Sequence, residues 1–515
     1  VNAKKGKQWQ RLRVASQVLF TLLFFFLLLK SGAIAVEHLP PTGFFFYIDP
    51  LYLWVNILAG PFLYVFLFAL VPLVLTLVFG RFFCGWICPF GALQQFFTWL
   101  GSRRKKSKIT LSHRSLRWKY LLLIVLLVAS LFATQWLGWL DPFSLLTRSS
   151  SVALYPGLNF LAQHALETGA DNRTLGGKII KPLYDFSRGF LLSGKQRTFL
   201  AAVGIGWLFG GLLLLNLYRR RFFCNYICPL GALYGLLAKY SLFHLPLNQN
   251  CTKCNACAAH CTYYGGPYKD YLKSECLVCL NCLGDCPFAA IDVRWQLPRA
   301  GQIPALAPQR RKFLGAIGCG LALAAMPQIA VGKKMKAHPF IRPPGAVAEK
   351  DFLKKCARCG ACMQACPTNA IQPAVLQAGL EGLWTPILVP VNGYCEYECV
   401  RCTRVCPTHA IASLTLEEKK QFKIGTAVIN RSTCYTYADG YNCGVCEEHC
   451  PVPEKAIRLR EVDVTNFRGK LKRVKQVYVV PDLCIGCGIC ENVCPRTDAP
   501  AIRVGAEEEQ RETAY

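Results

Sequence analysis

The chain has 515 residues, 53% hydrophobic content, 29 cysteines and a mean hydropathy of +0.28, enough for roughly three or four domains with part of the chain in a membrane. The formal charge of +29 would suit nucleic acid, but the excess lies in the first 337 residues, 37 Lys and Arg against 10 Asp and Glu, while from His338 onward the count is 22 against 20. Basic residues that flank apolar runs set membrane topology rather than build a nucleic-acid surface, so nucleic acid is not expected as a partner.

A basic start (Lys4, Lys5, Lys7, Arg11, Arg13) leads into an apolar run near 14–36. No small-residue cleavage site closes that run, so a retained transmembrane helix is favoured over a signal peptide. A short segment with Glu37, His38 and Asp49 lacks Lys and Arg. A second span is expected over about 60–82 behind an interfacial piece, then a connection rich in basic residues from Arg103 to Arg117. The third span runs near 118–140, and the fourth near 199–218, ending in Arg219, Arg220 and Arg221. The positive-inside rule places the N-terminus, the 84–117 connection and the chain after 218 in the cytoplasm, and the 141–197 loop outside.

One stretch occurs twice: RFFCGWICPFGAL at 81–93 and RFFCNYICPLGAL at 221–233, identical at ten of thirteen positions. Each copy follows an apolar run and carries C-x3-C-P, matching Cys84 and Cys88 with Cys224 and Cys228. Pro89 and Pro229 should break each helix, and broken helices at membrane depth line functional sites rather than face lipid. Four thiolates are the number one cubane needs, so a cluster between the duplicated helices is one reading. Buried cysteines packing a tight turn, and a redox disulfide, are the others.

Twenty-four further cysteines fall into six groups of four. Cys251, Cys254, Cys257, Cys261 and Cys276, Cys279, Cys282, Cys286 both read C-x2-C-x2-C-x3-C, the run of two-cluster ferredoxins, in which the fourth cysteine serves the other cluster. Cys286 is therefore expected with the first three cysteines, and Cys261 with Cys276, Cys279 and Cys282; Thr262 replaces the usual proline after Cys261. Zinc sites lack this three-plus-one run. Four more groups follow: Cys356, Cys359, Cys362, Cys366; Cys395, Cys399, Cys402, Cys406; Cys434, Cys443, Cys446, Cys450; and Cys484, Cys487, Cys490, Cys494. The middle two widen the first gap. An Ala-Ile pair follows most closing Cys-Pro dipeptides, as in CPTNAI at 366 and CPTHAI at 406, and reads as a short helix whose Ile packs over a cluster. Between the two assemblies, Gln309-Arg310-Arg311-Lys312-Phe313-Leu314 heads a Gly/Ala-rich run to about Val331. It resembles a twin-arginine export signal, against which stand an ordinary basic helix flank and Lys333, Lys334 and Lys336 just beyond it. Cys319 within the run is expected to be a free buried thiol. No C-x-x-C-H, P-loop or dinucleotide fingerprint is present, so covalent haem and nucleotide are not signalled.

The expected organisation is a membrane domain over 1–245, a two-cluster ferredoxin domain over 246–300, a linker with a candidate fifth span over 301–337, and a four-cluster ferredoxin domain over 338–515. The fold class is a multi-spanning α-helical membrane protein of four or five spans with α+β ferredoxin-like [4Fe–4S] domains. The RFFCxxICPxGAL repeats with their ferredoxin unit resemble NapH, and residues 309–515 resemble NapG (MauM-like), as though the two were joined in one chain. The resemblance implies a quinol dehydrogenase module in the bacterial inner membrane. It would oxidise quinol through six [4Fe–4S] clusters, with a seventh if the repeat cysteines hold one. Electrons would reach a periplasmic or membrane-bound reductase or cytochrome, with a cytoplasmic redox partner for the first ferredoxin unit and a periplasmic C-terminal assembly. In related four-cluster subunits the outer groups pair with each other, and so do the inner ones. A structural relay subunit without its own quinone site, and a metal-reducing assembly factor like the CcoG proteins, are the competing readings. No histidine marks a quinone site; His38 is the only candidate.

Overall fold

The computed structural model describes residues 3–33, 43–60, 62–102, 116–132, 135–169, 196–259, 261, 271–297, 310–331, 340–465, 471–496 and 499–510. Glu37, His38, the basic residues from 103 to 114, Thr262, Gln309, Lys333, Lys334, Lys336 and His338 lie outside the described residues, as does most of the 141–197 loop beyond 169. The chain divides into two units, one of residues 1–28, 42–149 and 204–328, the other of residues 29–41, 150–203 and 329–515.

In the first unit a long run of Leu, Phe and Val without proline gives helix α1 (Ala3–Ala33). Its segment Gly6–Leu29 is, among the described residues, the one helix long and apolar enough to cross a membrane by length and composition. Helix α2 (Pro50–Leu58) starts with proline at its first turn and Asp49 as cap, the carboxylate accepting from Leu51 N at 2.8 Å. Helix α3 (Leu70–Phe79) continues a 3-10 turn from Tyr64 and stops at Gly80, whose φ of +79° an L side chain would resist. The repeat then supplies α4 (Phe82–Trp86) and α5 (Pro89–Ser102), broken at Cys88-Pro89 as the proline requires. Helix α6 (Trp118–Leu131) ends well short of the expected position 140. The chain turns there, and Asp141 heads a separate helix, α7 (Pro142–Ser149). In the second unit lies α8 (Tyr155–Gly169). Helix α9 (Ala202–Tyr218) leads into the second repeat copy, α10 (Phe222–Tyr226) and α11 (Pro229–Ala238), broken at Cys228-Pro229. The segments Tyr64–Phe79, Trp118–Leu131, Ala202–Tyr218 and Pro229–Ala238 are apolar helices of shorter length.

The first ferredoxin segment packs within this unit. Its short strands β1 (Phe243–His244) and β2 (Arg294–Trp295) pair antiparallel, Phe243 opposite Trp295. Gln10 of α1 donates to Asn281 O, and Trp86 donates to Val278 O at 3.0 Å. The central joint is Glu275, 2% exposed, which meets Arg81 at 2.8 Å, the Tyr120 hydroxyl at 2.6 Å and Lys119. Helix α12 (Arg310–Val331) is continuous for 22 residues. Gly320 lies so close to α6 that a Cβ there would come within 2.8 Å of Val128, the kind of approach small residues permit between membrane helices. Its neighbour Cys319 is exposed, not buried as the sequence led one to expect, because the helix turns Gly320 and not Cys319 toward α6.

In the second unit, Arg197 donates to Gln364 O, and Asn369 and Gln372 both donate to Thr198 O, at 2.9 and 3.0 Å. Arg197 and Thr198, at the end of the expected outer loop, thus grip the short helix α13 (Ala361–Ala365) and the residues just beyond it. The strands form antiparallel pairs: β3 (Ile371–Pro373) with β4 (Pro386–Leu388), β5 (Thr426–Ile429) with β8 (Ile502–Gly505), and the hairpin of β6 (Ile457–Thr465) and β7 (Leu471–Val479). The Ala-Ile pairs do not form helices. Instead a left-handed residue precedes each in four cases (Ala289, Asn369, His409, Lys455), and the isoleucine enters a strand or bridge: Ile291, Ile371, Ile411 and Ile457. The short helices come earlier in each group, over the third cysteine and the three-residue gap before the closing one.

Replacing Glu275 by Ala would remove the buried carboxylate that Arg81, Lys119 and Tyr120 meet, a loss of about 3–5 kcal/mol. Limited proteolysis of the full chain should cut near 251–297 much faster in Glu275→Ala than in the parent, with cleavage within 338–515 unchanged.

Candidate iron–sulfur centres

Cysteine can wrap a cube only if the backbone between ligands curls inward. In four groups the residues on both sides of the second cysteine have positive φ: Lys253 and Asn255 around Cys254, Val278 and Leu280 around Cys279, Arg358 and Gly360 around Cys359, Gly486 and Gly488 around Cys487. Non-glycine residues there cost of order 1–2 kcal/mol each and persist only when the surroundings demand it. The two groups with widened first gaps lack this pair. Amides also point at sulfur: Ala290 N to Cys286 Sγ at 3.3 Å, Ile411 N to Cys406, Ala427 N to Cys484 and Ala501 N to Cys494, each at 3.4 Å. Such N–H donors suit a charged sulfur in a cluster. Among the described residues no three His, Cys, Asp or Glu side chains gather closely enough for a single metal ion.

Each closing cysteine sits with another group. Cys261 is within electrostatic reach of Cys276 and Cys282. Cys286 shares one core with Cys251 and Cys257 and also with Cys276 and Cys282 of its own group. In the second unit, Cys406 lies beside Cys356, Cys359 and Cys362, and Cys366 beside Cys395 and Cys402. Likewise Cys494 lies by Cys446, and Cys450 by Cys487. The exchange is therefore between successive groups, first with second and third with fourth. This corrects the outer-with-outer and inner-with-inner pairing that the resemblance implied: adjacent groups are joined by short strands that return each chain end to its neighbour. One further link joins the two pairs, Cys395 N donating to Cys487 O at 2.8 Å.

The four repeat cysteines also come together. Cys88 feels Cys84 and Cys224, and Cys228 feels Cys224, Cys84 and Cys88. Cys88 and Cys228 stand at the N-termini of α5 and α11, each accepting an amide three residues on: Gly91 N at 3.4 Å and Gly231 N at 3.2 Å. A helix N-terminus favours a thiolate. The repeat arginines, fully buried, reach across to the opposite copy. Arg221 donates to Gly91 O at 2.9 Å and Cys84 O at 3.4 Å, and a Cβ on Gly231 would lie 2.9 Å from Arg81 Nη2. Arg221, read from sequence as part of a topological flank with Arg219 and Arg220, is instead a structural cation of the site. Its place at the head of both copies was the available signal. Tyr234, Asp49 and Asp141, also near these cysteines, carried no motif.

Donor set, amide placement and backbone curl fit [4Fe–4S] groups. A bound cluster would supply one-electron transfer, and the protein would supply thiolates, amide donors and dry walls. Burial, with neighbouring thiols behind it, pushes Cys276 and Cys359 up to about 12; burial likewise pushes Cys395 up to about 12 and Cys487 to about 11. These thiols are protonated at neutral pH in metal-free protein, and each gives up its proton to iron, so loading is opposed by acid and favoured by alkali. Iron content of metal-free chain incubated with iron and sulfide should rise from pH 6 to pH 9, and a flat profile would contradict protonated ligands.

Comparison with known proteins places these features in a family. A family described as 4Fe-4S binding domain matches residues 61–108 and 200–248, the two repeat regions; another of that description matches 352–372, and a 4Fe-4S dicluster domain matches 441–498. The dicluster match takes in Cys443, Cys446 and Cys450 of the third C-terminal group and all four cysteines of the fourth. The ferredoxin-type protein NapG of Escherichia coli (strain K12) is 36% identical over 204 residues, 38% of this chain and 84% of NapG. The methylamine utilization ferredoxin-type protein MauM of Methylobacillus flagellatus is 34% identical over 208 residues, 38% of this chain and 83% of its own. NapG of Haemophilus influenzae is 31% identical over 227 residues, covering 42% and 77%. No solved structure matches the chain. The chain belongs to the NapG/MauM family of ferredoxin-type iron–sulfur electron-transfer proteins.

Proposed function

We propose that this protein is a multi-pass protein of the bacterial inner membrane that takes electrons from quinol at a cluster held by Cys84, Cys88, Cys224 and Cys228 and relays them through six further [4Fe–4S] clusters. The observation that carries this reading is the convergence of the four repeat cysteines with two buried, crossed arginines, in the regions that match a 4Fe-4S binding domain. A cubane with four thiolates carries roughly −2, which Arg81 and Arg221 would offset. Large apolar side chains left bare on the first unit, such as Leu22, Val74, Trp207 and Leu214, form a surface that lipid would cover.

The packing supports the charge-based topology. The first ferredoxin segment packs on the basic end of α1, the expected cytoplasmic side. The C-terminal assembly packs with residues 150–169 and 196–203, which belong to or adjoin the expected outer loop. NapH-like membrane repeats and a NapG-like assembly in one chain would then span both faces, with a periplasmic or membrane-bound redox partner outside and a cytoplasmic one inside. Six ferredoxin groups favour a relay over a CcoG-like metal-reducing factor, whose relatives carry few.

Two measurements test this. Cys84→Ser and Cys228→Ser should each lower the iron content by about four per chain while the ferredoxin signals persist; unchanged iron would remove the membrane centre. A reduced quinone analogue should bring up cluster EPR signals in the purified chain. Their absence, with dithionite still effective, would favour a structural relay without a quinone site.

A further inference from the structure

We infer that the buried carboxyl pair Asp49–Asp141, near Tyr234 and the repeat cysteines, takes up one proton when the four-cysteine centre takes up one electron. This rests on the proposed membrane cluster and names its proton partner.

Both carboxyls are fully buried. Asp49 caps α2, its Oδ1 accepting from Leu51 N at 2.8 Å; Asp141 heads α7, its Oδ2 accepting from Ser144 N at 2.8 Å. The remaining oxygens, Asp49 Oδ2 and Asp141 Oδ1, meet no N–H or O–H donor among the described residues, and the two side chains lie against each other. Two carboxylates buried side by side repel each other, which favours a proton held on the pair. Burial, then the neighbouring charge of Asp141, pushes Asp49 well above the usual carboxylate range. Two helix N-termini point at the pair and stabilise the single negative charge left on it.

The Tyr234 hydroxyl is buried, has no hydrogen-bond partner among the described residues, and is within electrostatic reach of Asp49, Asp141, Cys84 and Cys88. It is thus near both the pair and the sulfurs. Of the other groups around the pair, Cys84 adds to its repulsion, Tyr52 and Ser144 bond each other, and Arg148 donates to the Gly138 and Trp139 carbonyls. An electron added to the centre raises the negative charge nearby, which favours protonation of the remaining carboxylate. The balance is one electron into the centre and one proton onto the pair, which goes from one proton to two. With quinol as reductant, two such rounds leave quinone, two electrons passed to the relays and two protons released from the pair as the centre is reoxidised.

The test is an EPR-monitored redox titration of the full chain in lipid nanodiscs across pH. The centre's midpoint should fall by about 59 mV for each tenfold drop in proton activity over the pair's titration range. Asp49→Asn and Asp141→Asn should flatten that dependence while the six ferredoxin signals remain reducible by dithionite. Infrared difference spectra of the parent chain should show a protonated carboxyl band that changes on reduction, a readout needing no variant. A pH-independent midpoint, an undiminished slope in both Asn variants, or a repeat site without iron would each overturn the inference. If quinol fails to reduce the centre while slope and its loss persist, the quinol reading falls and the proton coupling stands.

Discussion

Sulfur that binds iron must be charged and yet dry, and nearly everything in this protein answers that conflict. Taking a thiolate out of water costs several kcal/mol unless donors replace the lost solvent. The ferredoxin groups answer with amides, curling the backbone through left-handed residues so that N–H groups face inward. The repeat, where we propose a further cluster, would answer differently. There the second cysteine of each copy caps a helix, and a fully buried arginine arrives from the opposite copy. Backbone curl suffices where the loop is free to fold; within helices that are themselves buried, a cation and a helix end do the work.

The same arginines tie chemistry to architecture. Arg81 faces both the second repeat copy and Glu275, and Glu275 also holds Lys119 and Tyr120. A buried carboxylate with three partners fixes position more than it adds stability. Its effect here is to hold the first ferredoxin segment against the repeat.

Much of this was legible because it is periodic or repeated. Cysteine spacing marks all six ferredoxin groups, and two-residue gaps do correspond to a curled ligand loop. The RFFC repeat marks the helix breaks, since proline cannot continue the ladder at Cys88 or Cys228. What was not legible depends on distance along the chain. The exchange between successive C-terminal groups rests on strand pairings such as Ile371 with Leu388 and Ala427 with Val504, which no local motif encodes. The third apolar helix stops at Leu131 although the hydrophobic run continues, because the chain beyond it turns to place Asp141 against Asp49. Those two aspartates, 92 positions apart, each look like an ordinary helix cap when read alone. The Ala-Ile signature misled for a related reason: periodicity cannot tell a short buried strand from a short buried helix.

The peptide link from Cys395 N to Cys487 O has a consequence for the C-terminal assembly as a conductor. The two cysteine pairs meet there and at the Asn492 amide on the Pro390 and Val391 carbonyls, and in the proposed relay the four groups would run in single file, Cys356 and its partners at one end, Cys434 and its partners at the other. A single file is a series circuit. Its throughput is set by the slowest hop, a stronger partner at either end cannot bypass it, and one vacant group opens the line. The Cys395 link is a backbone amide, which point substitution cannot delete unless the new residue is proline.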